Sequence, residues 1–159
     1  MTRIIDYPLR PYRTESIILH HSLTKDGKVV NFNAIKKYHL GLGWIDIGYH
    51  FVLERVDDDI NIFVGRPLYS IGAHTRQKQA NLKSVGVCMV GNFDEDDPHI
   101  YYPKLIPLVA HLLWCFNLGV DAIRGHREFA PYKTCPGKNV DLEEIKELVK
   151  NHKNRFRRS

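Results

Sequence analysis

Residues 17–24 read IILHHSLT, an apolar run of strand length that ends in two adjacent histidines. Neighbouring side chains of a strand point to opposite faces, so two such imidazoles are not expected to share one side of a sheet. A second run, SVGVCMVGNF at 84–93, is equally continuous and also reads as a buried strand. Between these runs NFNAIKKYHLGLG (31–43) reads as a short helix, capped by Asn31 or Asn33 and stopped by Gly41 or Gly43. IGYHFVLER (47–55) reads as a strand joined through the acidic turn DDD to a partner, INIFVG. A polar loop is expected around Lys25, Asp26 and Gly27, a turn-rich arm around Pro8 and Pro11, and a long aperiodic loop over 66–83.

Downstream, Leu108, Val109, Leu112, Leu113 and Phe116 recur at helical spacing, with a start expected near 103–106 because Pro107 suits a first turn. Gly119 stops that helix, AIRGH (122–126) reads as a short strand, and Asp141 can cap a final helix that buries Leu142, Ile145, Leu148 and Val149. Strands alternating with helices predict an α/β fold, a single domain with a central mixed β-sheet flanked by α-helices. The expected domain is 1–159, with its core over about 15–150 and a basic tail at 151–159.

Composition narrows the class. A 43% hydrophobic, 26% charged chain of 159 residues suits one globular domain. No run approaches the roughly 18 apolar residues of a membrane span, so no membrane partner is expected. The first residues lack an apolar stretch of signal-peptide length, which predicts a cytoplasmic protein without its own export signal. Three widely spaced cysteines are an odd number and suggest no disulfide framework. Cys88 and Cys115 sit in apolar segments and read as small buried hydrophobes, whereas Cys135 lies in the polar loop PYKTCPGK, where no core claims it. The net charge of +5 falls partly in the tail KNHKNRFRRS, a solvated helix end or a patch for an anionic polymer. No aromatic–basic pattern points to nucleic acid, and none is expected as a partner.

The histidine pair, His126 in RGHREF and Cys135 in KTCPG are candidate ligands. Imidazole and thiolate are good zinc donors, and catalytic zinc keeps three protein ligands plus water. The spacing matches no zinc finger, so hydrogen-bonded histidines and a loop thiol remain the competing reading.

Taken in order, HHS, GWIDIGYHFVL, GRPLYSIGAHT, SVGVCMVGNF, GHREFAP and KTCPG resemble the zinc N-acetylmuramoyl-L-alanine amidases of the bacteriophage T7 lysozyme type, which are close in fold to animal peptidoglycan recognition proteins. The resemblance runs from about residue 17 to 140. It implies one Zn2+ per chain held by His20, His126 and Cys135, with Tyr49 and Lys133 as catalytic residues and His74 as a substrate-binding residue of the groove wall. His20 takes the ligand position because it stands two residues before Ser22; His21 then turns to the other face as a packed or hydrogen-bonded histidine. A related branch has aspartate at the Cys135 position, and non-catalytic recognition proteins have lost the ligand set, which is complete here.

The implied activity is zinc-dependent hydrolysis of the amide between N-acetylmuramic acid and L-alanine of peptidoglycan, in a phage or prophage endolysin. A non-catalytic peptidoglycan-binding module and a cytosolic muropeptide-recycling amidase are the alternatives. The implied partner is the glycan strand with its stem peptide, and a monomer is the expected state. Beyond the resemblance, His50 reads as structural, and Arg66 and Asn81 as holding the long loop that borders the groove. His39, His99, His111 and His152 carry no assignment.

Overall fold

In the computed structural model, which describes residues 5–24 and 30–156, five strands form one mixed sheet in the order β3-β2-β4-β1-β5. They are β1 (Ser16–His21), β2 (Phe51–Val56), β3 (Asp59–Val64), β4 (Ser84–Met89) and β5 (Ile123–Gly125). β1 lies parallel to β4, from Ser16 opposite Ser84 to His21 opposite Met89, and β5 runs parallel along its other edge. β2 is parallel to β4 and antiparallel to β3, closing the hairpin over the acidic turn. The two central runs are buried on both faces, which is why IILHH and SVGVCM carry no apolar–polar alternation. The loop expected around Lys25, Asp26 and Gly27 lies outside the described residues.

Two of the three α-helices begin where a side-chain oxygen meets their free amides. Helix α1 (Phe32–Gly41) starts at Asn31, whose Oδ1 accepts from Ala34 N at 2.9 Å, and Glu54 of β2 accepts from Phe32 N at 2.6 Å. Helix α2 (Tyr102–Cys115) follows a 3-10 turn, Pro98–Tyr101, capped by Asp97. Pro107 falls inside α2 rather than in its first turn. It is exposed, as is Pro103, so the helical bond that Pro107 cannot donate is lost on the solvated side. Helix α3 (Leu142–Phe156) is capped by Asp141, which accepts from Glu143 N and Glu144 N, and it takes in residues 151–156 of the basic tail.

Strand alternation divides the sheet. Ile17, Leu19, Leu53, Val85, Val87 and Met89 face α2 and α3, meeting Leu105, Val109, Leu113, Ile145 and Val149 in the main core. On the other face Val52, Cys88 and Val90 pack under Val30, Phe32, Ile35 and Tyr49. That second face also receives His20 and Gly86, which alternate with the core-facing residues.

Four expectations change. Residues 47–50 do not continue β2, because Gly48 spends its amide on His39 Nδ1 and its carbonyl on Ala73 N. The long loop contains a 3-10 segment, Gln77–Leu82. Cys115 is exposed, one turn beyond His111 on the outer side of α2, while Leu112 and Leu113 take the buried side. Leu148 is 37% exposed, leaving Ile145 and Val149 as the fully buried anchors of α3.

His99 ties the start of α2 to the start of α3: its Nδ1 meets Asp97 and its Nε2 lies 3.0 Å from Glu144. The Asp97 contact first, and Glu144 second, raise the His99 pKa above its usual 6.5. The amide and ring of His99 hold Asp97 below its usual 3.8. The stabilisation from His99 is complete below pH 6.5 and fades as pH rises through the raised value; that from Asp97 is complete above pH 3.8 and fades on acidification. The stabilisation specific to His99 should therefore fade as pH climbs above 6.5, so the melting-temperature difference between the parent and His99→Gln should shrink over that range. Ile145→Ala should cost about 2–5 kcal/mol in denaturant unfolding, whereas Leu148→Ala should stay within about 0.5 kcal/mol of the parent.

Candidate metal centre and groove

β1 delivers His20 and β5 runs directly into His126, so two parallel neighbours end at the same edge of the sheet with an imidazole each. Cys135 arrives from the loop after β5. Arg127 holds that loop by donating to the carbonyls of Gly137 (2.8 Å) and Val140 (2.9 Å), and its amide donates to Cys135 O at 2.7 Å. Asp94 accepts from the Thr134 hydroxyl and from Lys138 N, both at 2.8 Å. Gly137 has φ +126°, and a Cβ there would meet Phe93 at 2.6 Å.

The ligand atoms of His20, His126 and Cys135 all lie within 4.8 Å of one another, and all three residues are buried. His20 Nδ1 is 3.6 Å from Cys135 Sγ. Tetrahedral zinc with bonds of about 2.0–2.3 Å needs donor separations near 3.5 Å, so the residues present fit that ion. Burial, then the cationic forms of His126, His21 and Lys133, keeps His20 well below the usual imidazole pKa. Burial, then Lys133, takes His126 to about 4. Both rings are therefore neutral near pH 7 and keep a lone pair for a cation. Burial pushes the Cys135 thiol up to about 11, a penalty that a bound dication offsets by stabilising the thiolate.

His21 stays off this cluster. Its Nδ1 accepts from Phe93 N at 3.1 Å and its ring stacks on Phe93, on the main-core side of the sheet. Tyr49 lies beside His20, with ring centroids 5.2 Å apart, and packs against Cys88 on the same face of the sheet. Burial first, then negative charge on Cys88 or Cys135, raises its pKa well above 10, so Tyr49 remains a phenol. Lys133 is exposed at the mouth. His74 borders the groove but is 9% exposed, and its Nδ1 lies 2.9 Å from His20 Nε2. The groove is a cavity of about 500 Å³ that also meets Leu23, Trp44 and Tyr132.

Three residues near the site were not singled out by sequence reasoning. His39 stacks on Trp44 with 4.4 Å between centroids and accepts from Gly48 N. Gln77 donates to the Tyr132 hydroxyl at 2.9 Å across the rim. Cys88, which reads as a plain core residue, pairs with His20 in register, and that pairing is the signal that places its thiol near Tyr49. His50 is fully buried: its Nδ1 accepts from Gly86 N and its Nε2 faces Ser70 O at 3.0 Å. Arg66 donates to Ile47 O and Ile71 O, and Asn81 accepts from the amides of His74 and Thr75, which holds the loop bordering the groove.

The model of the N-acetylmuramoyl-L-alanine amidase family matches residues 10–138. The chain belongs to that family. The amidase is 35% identical over 145 residues to the endolysin of Escherichia phage T7, covering 86% of this chain and 89% of the relative. Among solved structures it is similar to the N-acetylmuramoyl-L-alanine amidase LysC from Clostridium intestinale, at 28% identity and TM-score 0.77 over 94% of this chain and 95% of that one. It also resembles Drosophila PGRP-LB, at 25% identity and TM-score 0.71 over 89% and 84%. The amidase fold is thus a mixed five-stranded sheet between helices, and its activity is hydrolysis of the muramoyl–L-alanine amide of peptidoglycan.

Gly137→Ala tests how the thiol loop is held. The new methyl would sit at a positive φ and against Phe93, so unfolding should be easier by more than about 1 kcal/mol. Gly119→Ala, with open space around its Cβ and an extended backbone, should be close to neutral in the same measurement.

Proposed function

We propose that this amidase is zinc-dependent, that His20, His126 and Cys135 hold the ion, and that it acts as a phage-type endolysin on the bacterial wall. The observation that carries the proposal is the convergence of two neutral imidazoles and one thiol, far apart in sequence, on one buried point beside a groove. Similarity to a phage endolysin along nearly the full length of both chains supports the biological setting. Among the described residues no helix is long and apolar enough to cross a membrane.

Zinc bound there supplies a Lewis acid and lowers the pKa of water from about 15.7 towards 7. The protein's share is positioning and charge. The groove receives the lactyl carbonyl that joins muramic acid to L-alanine. Water oxygen adds to that carbon, the carbon–nitrogen bond breaks, and the proton lost by water leaves on the alanine amine. Lys133, a cation at the mouth, faces the negative charge that gathers on the carbonyl oxygen, and removing such a group costs about 3 kcal/mol of barrier. Tyr49 keeps its proton, so it acts through the hydrogen bonds of a phenol beside the reacting carbon rather than as a base. In this proposal the donor trio makes hydrolysis, rather than binding alone, the function.

The test is metal content and product release together. The purified protein should carry one zinc per chain; His20→Ala and Cys135→Ala should lose it, and His21→Ala should keep it. Incubation with peptidoglycan should release new N-terminal alanine. Lys133→Ala and Tyr49→Phe should lower kcat about 10²–10³-fold with zinc retained. Zinc-loaded protein that binds muropeptides without freeing amino groups would overturn the hydrolase reading and favour a recognition module.

A further inference from the structure

His20 offers a metal only one nitrogen, and a neutral imidazole must leave that nitrogen bare. Hydrogen-bond capacity behind the ring decides which one it is. His20 Nε2 lies 2.9 Å from His74 Nδ1, so exactly one of those two atoms carries the shared proton. On the far side of His74, Nε2 lies 3.4 Å from Ser84 Oγ. Ser84 has a single hydroxyl proton, and it donates that proton to Ala80 O at 2.7 Å. Ser84 is therefore left as an acceptor towards His74, which puts the His74 proton on Nε2 and leaves its Nδ1 bare. A bare His74 Nδ1 requires the His20 proton on Nε2. The lone pair of His20 then sits on Nδ1, the nitrogen 3.6 Å from Cys135 Sγ.

The backbone is shaped around this chain. A Cβ on Gly86 would lie 2.5 Å from the His74 ring, and one on Gly72 would also lie 2.5 Å from it. Asn81 pins the His74 amide, and the Thr75 hydroxyl lies 3.2 Å from His74 Nδ1 and 3.4 Å from His20 Nε2. His74 is thus clamped at its backbone, at both ring nitrogens and on its ring surface.

We propose that His74 is a positioning residue for the metal ligand His20: seated over Gly86 and oriented by Ser84, it sets the tautomer that presents His20 Nδ1. This rests on the zinc reading above and gives His74 a task other than substrate contact. Outer partners that orient a ligating histidine commonly change metal affinity about 10–100-fold.

The experiment uses the full chain in two forms. In metal-free protein, nitrogen-15 chemical shifts of His20 should report a proton on Nε2, and His74→Leu should lose that preference. In the second form, zinc affinity is measured against a competing chelator, and the cobalt-substituted visible spectrum is recorded. His74→Leu should bind zinc about 10–100-fold more weakly and alter the cobalt spectrum. His74→Asn, which keeps an acceptor near the Nδ1 position, should recover most of both. Ser84→Ala and Gly86→Ala should shift affinity in the same direction as His74→Leu, and they keep the test alive if His74→Leu does not fold. Parent-like zinc affinity and an unchanged His20 tautomer across these variants would overturn the inference. A parent protein that binds no zinc would instead overturn the zinc reading, while the metal-free tautomer still reports on His74.

Discussion

Parallel pairing of β1 with β4 sets Ile18 opposite Gly86 and His20 opposite Cys88. In a parallel ladder, paired residues face the same side, so this register decides what surrounds His20, the candidate ligand. Gly86 leaves a hollow in which His74 lies against the sheet, within reach of His20 Nε2. Cys88 fills the adjacent position and packs against Tyr49. A slip of one residue would turn Ile17 and Leu19 out of the main core and bring His21 in place of His20. The apolar cost of that slip protects the site, because the same strand that carries His20 also carries the centre of the core.

The remaining candidate ligands depend on how the chain leaves β5. His126 follows the strand directly, so its place is fixed by the pairing of β5 with β1. Cys135 has no such support, and the protein supplies it with two charged groups of opposite sign. The Arg127 guanidinium collects carbonyls from inside the turn, and the Asp94 carboxylate collects donors from outside it. A loop thiol is thereby held against a strand histidine without being part of any regular element.

The sequence made the architecture legible where burial imposes a pattern. IILHH, SVGVCM and the α2 stripe had to be apolar, and each lies where periodicity placed it. Asn31 and Asp141 were readable as caps because a helix start needs an acceptor. Legibility failed where tertiary contacts compete with local pattern. GYH alternates like a strand, but the backbone bonds of Gly48 go to His39 of α1 and to Ala73 of the groove loop. Leu148 has the spacing of a core residue, yet Ile145 and Val149 already fill the contact with the sheet. At the site, residue types named the candidate donors, and only the resemblance chose among them. His74 shows the limit: its motif places it at the groove wall, while its hydrogen bonds run to His20 and Ser84.

The charge of the groove suits the zinc site proposed for it. Among the described residues that line it there is no carboxylate; the lining is histidine, tyrosine, tryptophan, Leu23, small residues and Lys133. Asp94, the nearest acid to the thiol loop, spends its oxygens on Thr134 and Lys138. Two neutral imidazoles and one thiolate reduce a dication only to about +1, and Lys133 adds a further positive charge nearby. A carboxylate in the lining would neutralise that field or compete for the ion. With none present, the charge of the proposed ion would act on the one group that becomes anionic during amide hydrolysis, the carbonyl oxygen. The carboxylate-free lining and the candidate cysteine ligand thus fit one electrostatic arrangement, in which a single anionic donor would hold the ion and leave its attraction for the substrate uncompensated.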